Sequence, residues 1–243
     1  MRASGPNTIP VLDNGYVRLV SSTGTDLDVV NAARVSFDKE SNEFTEKDER
    51  LIKYLARNQE SSPFRHSNLT FEVYAPLMVA RQHFKYVIGS AHIEDGTAWN
   101  ESSRRYITEN NQFHIPDSDG WRSAPDSRKQ GSGGPIDITA GFQLTRDLTL
   151  VVSQAEKLYQ RALKMGVAPE QARLFLPAYS LFVRYRWTPT LAGVIHFLRE
   201  RLGHTAQYEI HEYARAVESL TRSAYPASVS AWLGDDEDRS SDE

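Results

Sequence analysis

Apolar and polar residues alternate without a break from residue 68 to 74, Leu69, Phe71 and Val73 against Thr70, Glu72 and Tyr74. That period of two predicts a half-buried strand. Weaker alternation predicts further strands at 15–20, 105–114 and 179–187, the last setting Leu181, Val183 and Tyr185 against Phe182, Arg184 and Arg186. Helical spacing takes over elsewhere: a short helix at 26–33, and one capped by Thr45 that runs to about 58 with Leu51, Ile52 and Leu55 on its apolar stripe. Pro76 stands where a helix over 77–88 would begin, and Thr188-Pro189 reads as a cap and first position for one over 190–202. Further helices are predicted at 144–165, 169–176 and 206–225. The stretch 121–139, with Gly131-Ser132-Gly133-Gly134-Pro135 inside it, reads as flexible connection. No internal repeat or interdomain linker interrupts the pattern. The expectation is one α+β domain over 11–230, helices packed around an antiparallel sheet, with a flexible N-terminus at 1–10 and a disordered acidic tail at 234–243.

Composition narrows the function classes. The 243 residues include no cysteine, which removes disulfides, zinc-thiolate sites and thiol nucleophiles. No apolar run reaches the 18 residues that a membrane span requires, and the first residues lack the apolar stretch of a secretory signal, so a cytoplasmic location is expected. The formal charge is −4, yet residues 235–243 carry six acids and one base, which leaves the body near +1. Nucleic-acid-binding domains are usually far more basic. Arginines do gather around 104–105, 184–186 and 199–201, enough to hold anionic ligands locally. His92 and His114 have no ligand-spaced partner, so no metal is expected. No G-x-G-x-x-G motif lies between a strand and a helix.

The densest chemistry lies in Asn100-Glu101-Ser102-Ser103-Arg104-Arg105-Tyr106. Guanidinium groups beside short hydroxyls suit a phosphate, because their hydrogen bonds to it are charge-assisted and often bidentate. The amide and the carboxylate remain to read a polar heterocycle. Arg81, Gln82 and Lys85 lie three to four residues apart and can share a helical face turned toward the same cavity. Arg173 sits in the otherwise apolar Ala172-Arg173-Leu174-Phe175-Leu176-Pro177, where a charge must be paired or must meet a ligand. Arg201 borders the stripe of Leu191, Val194, Ile195 and Leu198.

The 100–106 run resembles the N-E-x-S-x-R-Y signature of the flavin-dependent thymidylate synthases (ThyX), matching at Asn100, Glu101, Ser103, Arg105 and Tyr106. Ala80-Arg81-Gln82-His83-Phe84 is similar to the family's A-R-Q-x-F, Ala32-Ala33-Arg34-Val35-Ser36-Phe37 to A-A-R-V-S-F, and Ser62-Pro63-Phe64-Arg65-His66 to T-P-F-E-H. Ala172–Pro177 is similar to A-R-x-x-L-P and Ala206-Gln207-Tyr208-Glu209-Ile210 to A-Q-W-E-I. The matches keep family order from about residue 11 to 225. The resemblance implies the α+β fold, reductive C5 methylation of a uridine nucleotide, FAD as redox carrier, NADPH as reductant and methylenetetrahydrofolate as carbon donor. It further implies a homotetramer whose pocket is built from several chains. Segments 181–187 and 206–213, rich in aromatics, are expected to supply the contacts.

Residue by residue, the resemblance gives Gln82, Lys85, Glu101, Ser102, Ser103, Arg104, Arg105, Arg173 and Arg201 to the nucleotide, with Arg201, Glu101 and Ser103 closest to the chemistry. It gives Ser36, Ser62, Arg65, His66, Lys85, Tyr86, Val87, Ile88, Asn100, Glu101, His196 and Gln207 to the flavin. On composition alone Ser36 and Ser62 read equally as helix caps, and His66 as a core histidine. Two departures matter. Lys85-Tyr86-Val87 replaces the family's R-H-R, and fifteen residues rather than seven separate Val87 from Ser103, an inserted loop near 91–98. Thr190, Ala192 and His196 replace the family's N-x-R-x-x-x-N, and Arg65 replaces a glutamate. Such changes fit a divergent branch, the UMP C5-methylases of polyoxin-type nucleoside-antibiotic pathways, so UMP is expected over dUMP. The alternatives are an ordinary dUMP-specific synthase and a flavin- or nucleotide-binding relative without turnover.

Overall fold

A computed structural model describes residues 5–90, 98–101, 111–125, 131–203 and 205–234 of the chain. The alternating segment becomes β3 (Asn68–Pro76), the centre of a five-stranded sheet. Its order is β1 (Thr8–Val11), β2 (Gly15–Thr23), β3, β5 (Phe182–Thr188) and β4 (Ala98–Glu101), with every pairing antiparallel. Leu69, Phe71 and Val73 are buried with Tyr185 and Trp187, and Phe71 stacks on Trp187 at 5.7 Å between centroids. The opposite face is polar. There Glu72 accepts from Arg18 at 2.9 Å and from Tyr16 at 2.9 Å, and it lies 3.7 Å from Arg186.

Helices pack around the sheet. In chain order they are α1 (Asp26–Arg34), α2 (Glu46–Arg57), α3 (Leu77–Ser90), α4 (Ile138–Lys164), α5 (Pro169–Ala172), α6 (Leu191–Arg201), α7 (Tyr208–Ala224) and α8 (Pro226–Leu233). Of these, α3 and α7 pack directly against the strands. Short 3₁₀ turns follow α1 at Val35–Phe37, precede β3 at Ser62–Arg65 and follow α5 at Arg173–Phe175. Thr45 caps α2 as expected, and Asp48 closes the reciprocal box by accepting from the Thr45 N–H at 2.7 Å. α7 packs so closely on the β1–β2 turn that a Cβ at Gly15 would strike the Tyr213 hydroxyl. That hydroxyl donates to the Tyr74 carbonyl at 2.8 Å.

Several boundaries depart from the sequence expectation. The helix expected over 206–225 does end at Tyr225, but it is not the last: Pro226 opens a further helix, α8, at its first turn. Thr190, not Thr188, caps α6, accepting from Gly193 N at 3.1 Å. α4 starts at Ile138, six residues earlier than its apolar spacing suggests, because Asp137 accepts from the amides of Thr139 and Ala140. Of the strand expected over 105–114, the described part makes a single bridge, Phe113 to Leu181. Asp13 grips His114 at 2.8 Å and the Ile115 amide at 3.2 Å, which turns the chain off the ladder. The described parts of 121–139 are tied down: Trp121 donates to Thr145, Ser132 accepts from Tyr208 N, and the Arg122 guanidinium lies 3.9 Å over the Tyr208 ring. Among the described residues no helix is long and apolar enough to cross a membrane.

Candidate active site

α3 organises the candidate residues. Its Val79, Ala80, His83 and Tyr86 are buried in the core, so Arg81 and Lys85, one turn apart, share the exposed face with Gln82 at its margin. On one side of that face lies the end of the edge strand β4. Trp99 and Glu101 fall on the same side of the sheet as Tyr185 and Trp187, their register partners. Trp99 stacks on Tyr185 at 4.0 Å, and Phe84 and His83 pack edge-on against it. Burial of the Glu101 carboxyl raises its pKa, while the nearby positive charges of Arg173 and Arg81 pull the other way. Residues from α3, β4 and the turn after α5 therefore converge on one carboxylate. Arg173 and Arg81 thus lie near Glu101 within a single chain.

On the other side of α3, Tyr86 faces α6. The Arg201 guanidinium sits 5.1 Å over the Tyr86 ring, and the His196 ring lies 5.7 Å from it. Burial raises the Tyr86 pKa, with Arg201 opposing. Two polar atoms here are buried with no hydrogen-bond partner among the described residues: Gln82 Oε1 and Arg201 Nε. Buried polar atoms are nearly always paired in folded proteins, and leaving one unpaired costs about 1–3 kcal/mol. Unpaired atoms on a cationic, aromatic-walled surface mark where a polar ligand belongs.

Beneath this surface lies a buried pair that sequence reasoning does not single out. His83 Nδ1 is 2.9 Å from the Tyr185 hydroxyl, and the His83 ring stacks on Phe197 at 4.4 Å. Burial pushes His83 down to about 3 and Tyr185 well above its ordinary value, so both are neutral. The available signal is positional: His83 falls on the 79, 80, 83, 86 face of α3.

Other candidates stand apart from this group. Ser36 is exposed on the turn after α1, as are Ser62, Arg65 and His66 around the turn before β3. Ser61, not Ser62, stands at the cap position of that turn, and His66 is no core histidine. Gln207 is exposed at the N-terminus of α7. Asn100 pairs opposite Arg186, which puts it on the sheet face away from Glu101. Arg34, the charged residue of Ala32–Phe37, is spent within the chain: it pairs with the buried Asp48 at 2.6 Å. Burial alone would raise the Asp48 pKa, but hydrogen bonds from Thr45 and the Arg34 charge hold it down. Ser102, Ser103, Arg104 and Arg105, residues 91–97 of the inserted loop and 235–243 of the acidic tail lie outside the described residues, and so do the side chains of Val87 and Ile88. Among the described residues no group of three His, Cys, Asp or Glu side chains is placed to hold a metal ion.

Comparison with known proteins shows the family and the fold. The model of the "Thymidylate synthase complementing protein" family matches residues 18–227. A flavin-dependent thymidylate synthase of Thermus thermophilus is 37% identical over 228 residues, covering 94% of this chain and 79% of the relative. One from Thermotoga neapolitana is 36% identical, covering 93% and 94%. Among solved structures, the UMP/dUMP methylase PolB of Streptomyces cacaoi, bound with 5-Br dUMP, superimposes with a TM-score of 0.77 at 30% identity, covering 92% of this chain and 97% of that one. Its complex with 5-Br UMP gives 0.75 at 29% identity. With the sheet, the α3 motif and the ordered matches all in place, the chain is an enzyme and belongs to the flavin-dependent thymidylate synthase family.

Proposed function

We propose that the chain methylates C5 of a uridine nucleotide reductively, preferring UMP to dUMP, with FAD, NADPH and methylenetetrahydrofolate. The observation that carries this reading is the pair of unpartnered buried atoms, Gln82 Oε1 and Arg201 Nε, on the flanks of α3. Gln82 Oε1 needs a donor and Arg201 Nε an acceptor, and the polar edges of a pyrimidine or a flavin offer both kinds of group. The residues also fit a flavin: Tyr86 and His196 supply flat aromatic contact, and Lys85 and Arg201 supply positive charge for a ring system that becomes anionic on reduction. When bound, the flavin supplies the redox chemistry.

The roles of the chain's own groups follow from their places. Arg173, with Ser103 and Arg105, holds the nucleotide phosphate. Arg81 orients Glu101. Arg201 holds positive charge beside the pyrimidine as electron density builds on the ring, a role worth about 3–4 kcal/mol per group in other enzymes. His83 and Tyr185, neutral and buried, keep Trp99 and hence the end of β4 in place. The exposed outer set Ser36, Ser62, Arg65 and His66 holds the distal part of FAD, contributed by one chain to the pocket of another.

A homotetramer fits the surface. Of the segments 181–187 and 206–213, the aromatics Phe182, Tyr185, Trp187 and Tyr213 are buried within the chain and leave little apolar surface for its contacts. The apolar surface lies on α4, where Ile138, Phe142, Leu150 and Val151 are more than half exposed, and beside Arg173, where Leu174 is 85% exposed. Covering Leu174 with a second chain brings that chain to the edge of the phosphate site.

The deciding experiment is competition. Equal UMP and dUMP are supplied with FAD, NADPH and methylenetetrahydrofolate, and 5-methyl-UMP and dTMP are followed together. A kcat/KM favouring UMP supports the proposal. A ten-fold preference for dUMP, about 1.4 kcal/mol in transition-state binding, identifies an ordinary thymidylate synthase. Absence of both products, with flavin bound, removes the catalytic reading.

A further inference from the structure

Away from α3 and β4, the helices α2, α6 and α8 border an open cavity of about 440 Å³ walled by Lys53, Arg57, Gln59, Arg199, Ser230 and Trp232. Three of these side chains are cationic and none is acidic. Lys53 is paired with Glu49 at 2.6 Å, whereas neither Arg57 nor Arg199 has a carboxylate partner among the described residues.

Arg199 is fixed from two directions. It donates to Gln59 Oε1 at 2.9 Å, and its guanidinium lies 5.6 Å from the centre of the Trp232 ring. Gln59 stands just past the end of α2 at φ +57°, where helices ordinarily place glycine. A side chain there carries a conformational cost, and this one holds a cation over the cavity. The indole N–H of Trp232 is also buried without a partner. Next to this cavity lies a second, of about 580 Å³, which shares Lys53 and Ser230 with the first. Leu27, Phe44, Ala224, Pro226 and Ala227 make much of its wall. Its acids are already engaged, Asp26 with Ala227 and Ser228, and Glu49 with Lys53. Both volumes fall within the range of small-molecule sites.

We propose that this groove is a second ligand site for an amphiphilic oxyanion, its carboxylate or phosphate head between Arg57 and Arg199 and its apolar body along Leu27, Phe44 and Ala227. Guanidinium groups bind carboxylate and phosphate through charge-assisted, often bidentate hydrogen bonds.

Calorimetric titration of the full-length flavin-loaded protein tests this, with UMP in excess so that the nucleotide site is filled. The titrants are octanoate, octyl phosphate and inorganic phosphate. Saturable 1:1 binding of an octyl anion is expected, at least ten-fold tighter than inorganic phosphate. The tighter of the two octyl compounds identifies the head group. R57Q/R199Q should weaken it ten-fold or more, while K157Q/K164Q, on α4, should leave it unchanged. Q59G gives an independent reading, since it relieves the backbone and frees Arg199: the protein should become more stable and bind more weakly. The proposal is overturned if neither octyl anion saturates the protein. Binding that survives both R57Q/R199Q and Q59G would overturn it equally.

Discussion

Replacing Asp26 by alanine should cost the enzyme a large part of its stability without touching any residue at α3. Asp26 opens α1 and is 6% exposed, yet its carboxylate serves a helix two hundred residues away. It accepts from Ala227 N at 2.8 Å, from Ser228 N at 3.0 Å and from the Ser228 hydroxyl. These are donors of the first turn of α8, the end where a negative charge is also favoured by the helix dipole. Alanine leaves all three unsatisfied, and Ser228 is fully buried. Hydrogen bonds to a charged group contribute about 1.5–3 kcal/mol each and are not additive, so the loss should be roughly 3–5 kcal/mol. The Tyr225 hydroxyl, which donates to the Thr23 carbonyl at 2.6 Å, still anchors the start of α8 and keeps the figure from rising further. At about 2–4 °C per kcal/mol for a chain of this size, Tm should fall by roughly 10 °C. Urea and thermal unfolding by circular dichroism, at one fixed protein concentration because the chain is proposed to associate, would measure it. D26N, which keeps an acceptor oxygen but sets an NH₂ against N–H donors, should fall between. A shift in D26A of under about 3 °C would refute the reasoning, since the adjoining cavity would then be replacing the carboxylate with water.

Arg201→Met should lower kcat/KM for methylation by roughly 10²–10³-fold with flavin content retained; a change under threefold would remove Arg201 from the chemistry. His83 should make stability pH-dependent: burial depresses it to about 3, so the unfolded chain binds the proton first. The stabilisation is complete above about pH 6.5 and drains away as pH falls toward 3, about 2 kcal/mol being lost between pH 7 and 5. H83F should lack that loss in urea unfolding at the two pH values, and parallel curves for both proteins would contradict it. Phe142→Glu with Val151→Glu should shift the mass by light scattering toward smaller species; an unchanged mass would move the interface off α4.

Legibility in the sequence tracks locality. β3 and α2 were readable because their determinants lie within the segment: strict alternation at 68–74, and Thr45 with Asp48 three residues on. α8 was hidden although Pro226 announces it, because helical spacing runs through Tyr225 on both sides. β1, four residues long, has too short a pattern to register. At the site, Arg81, Gln82 and Lys85 were legible as a helical face, since that follows from spacing alone. The neighbours that decide their roles were not. Nothing local tells that Arg34 meets Asp48, that His83 meets Tyr185 over a separation of 102 residues, or that Tyr86 meets Arg201.

The edge strand β4 carries a consequence for how this family can change. Adjacent residues of a strand serve opposite faces, so Glu101 reaches the α3 side only while Trp99 lies opposite Trp187. A slip of one residue would exchange Glu101 for Asn100 and empty the carboxylate from the site. What holds the register is the stack of Trp99 on Tyr185, beneath Phe84 and His83, and none of these belongs to the segment joining α3 to β4. The length of that segment is therefore uncoupled from the placement of Glu101. Doubling it costs only about 0.6 kcal/mol of closure entropy, so evolution can lengthen or shorten the connection, by odd or even numbers of residues, and retune what enters the pocket while the carboxylate stays where it is.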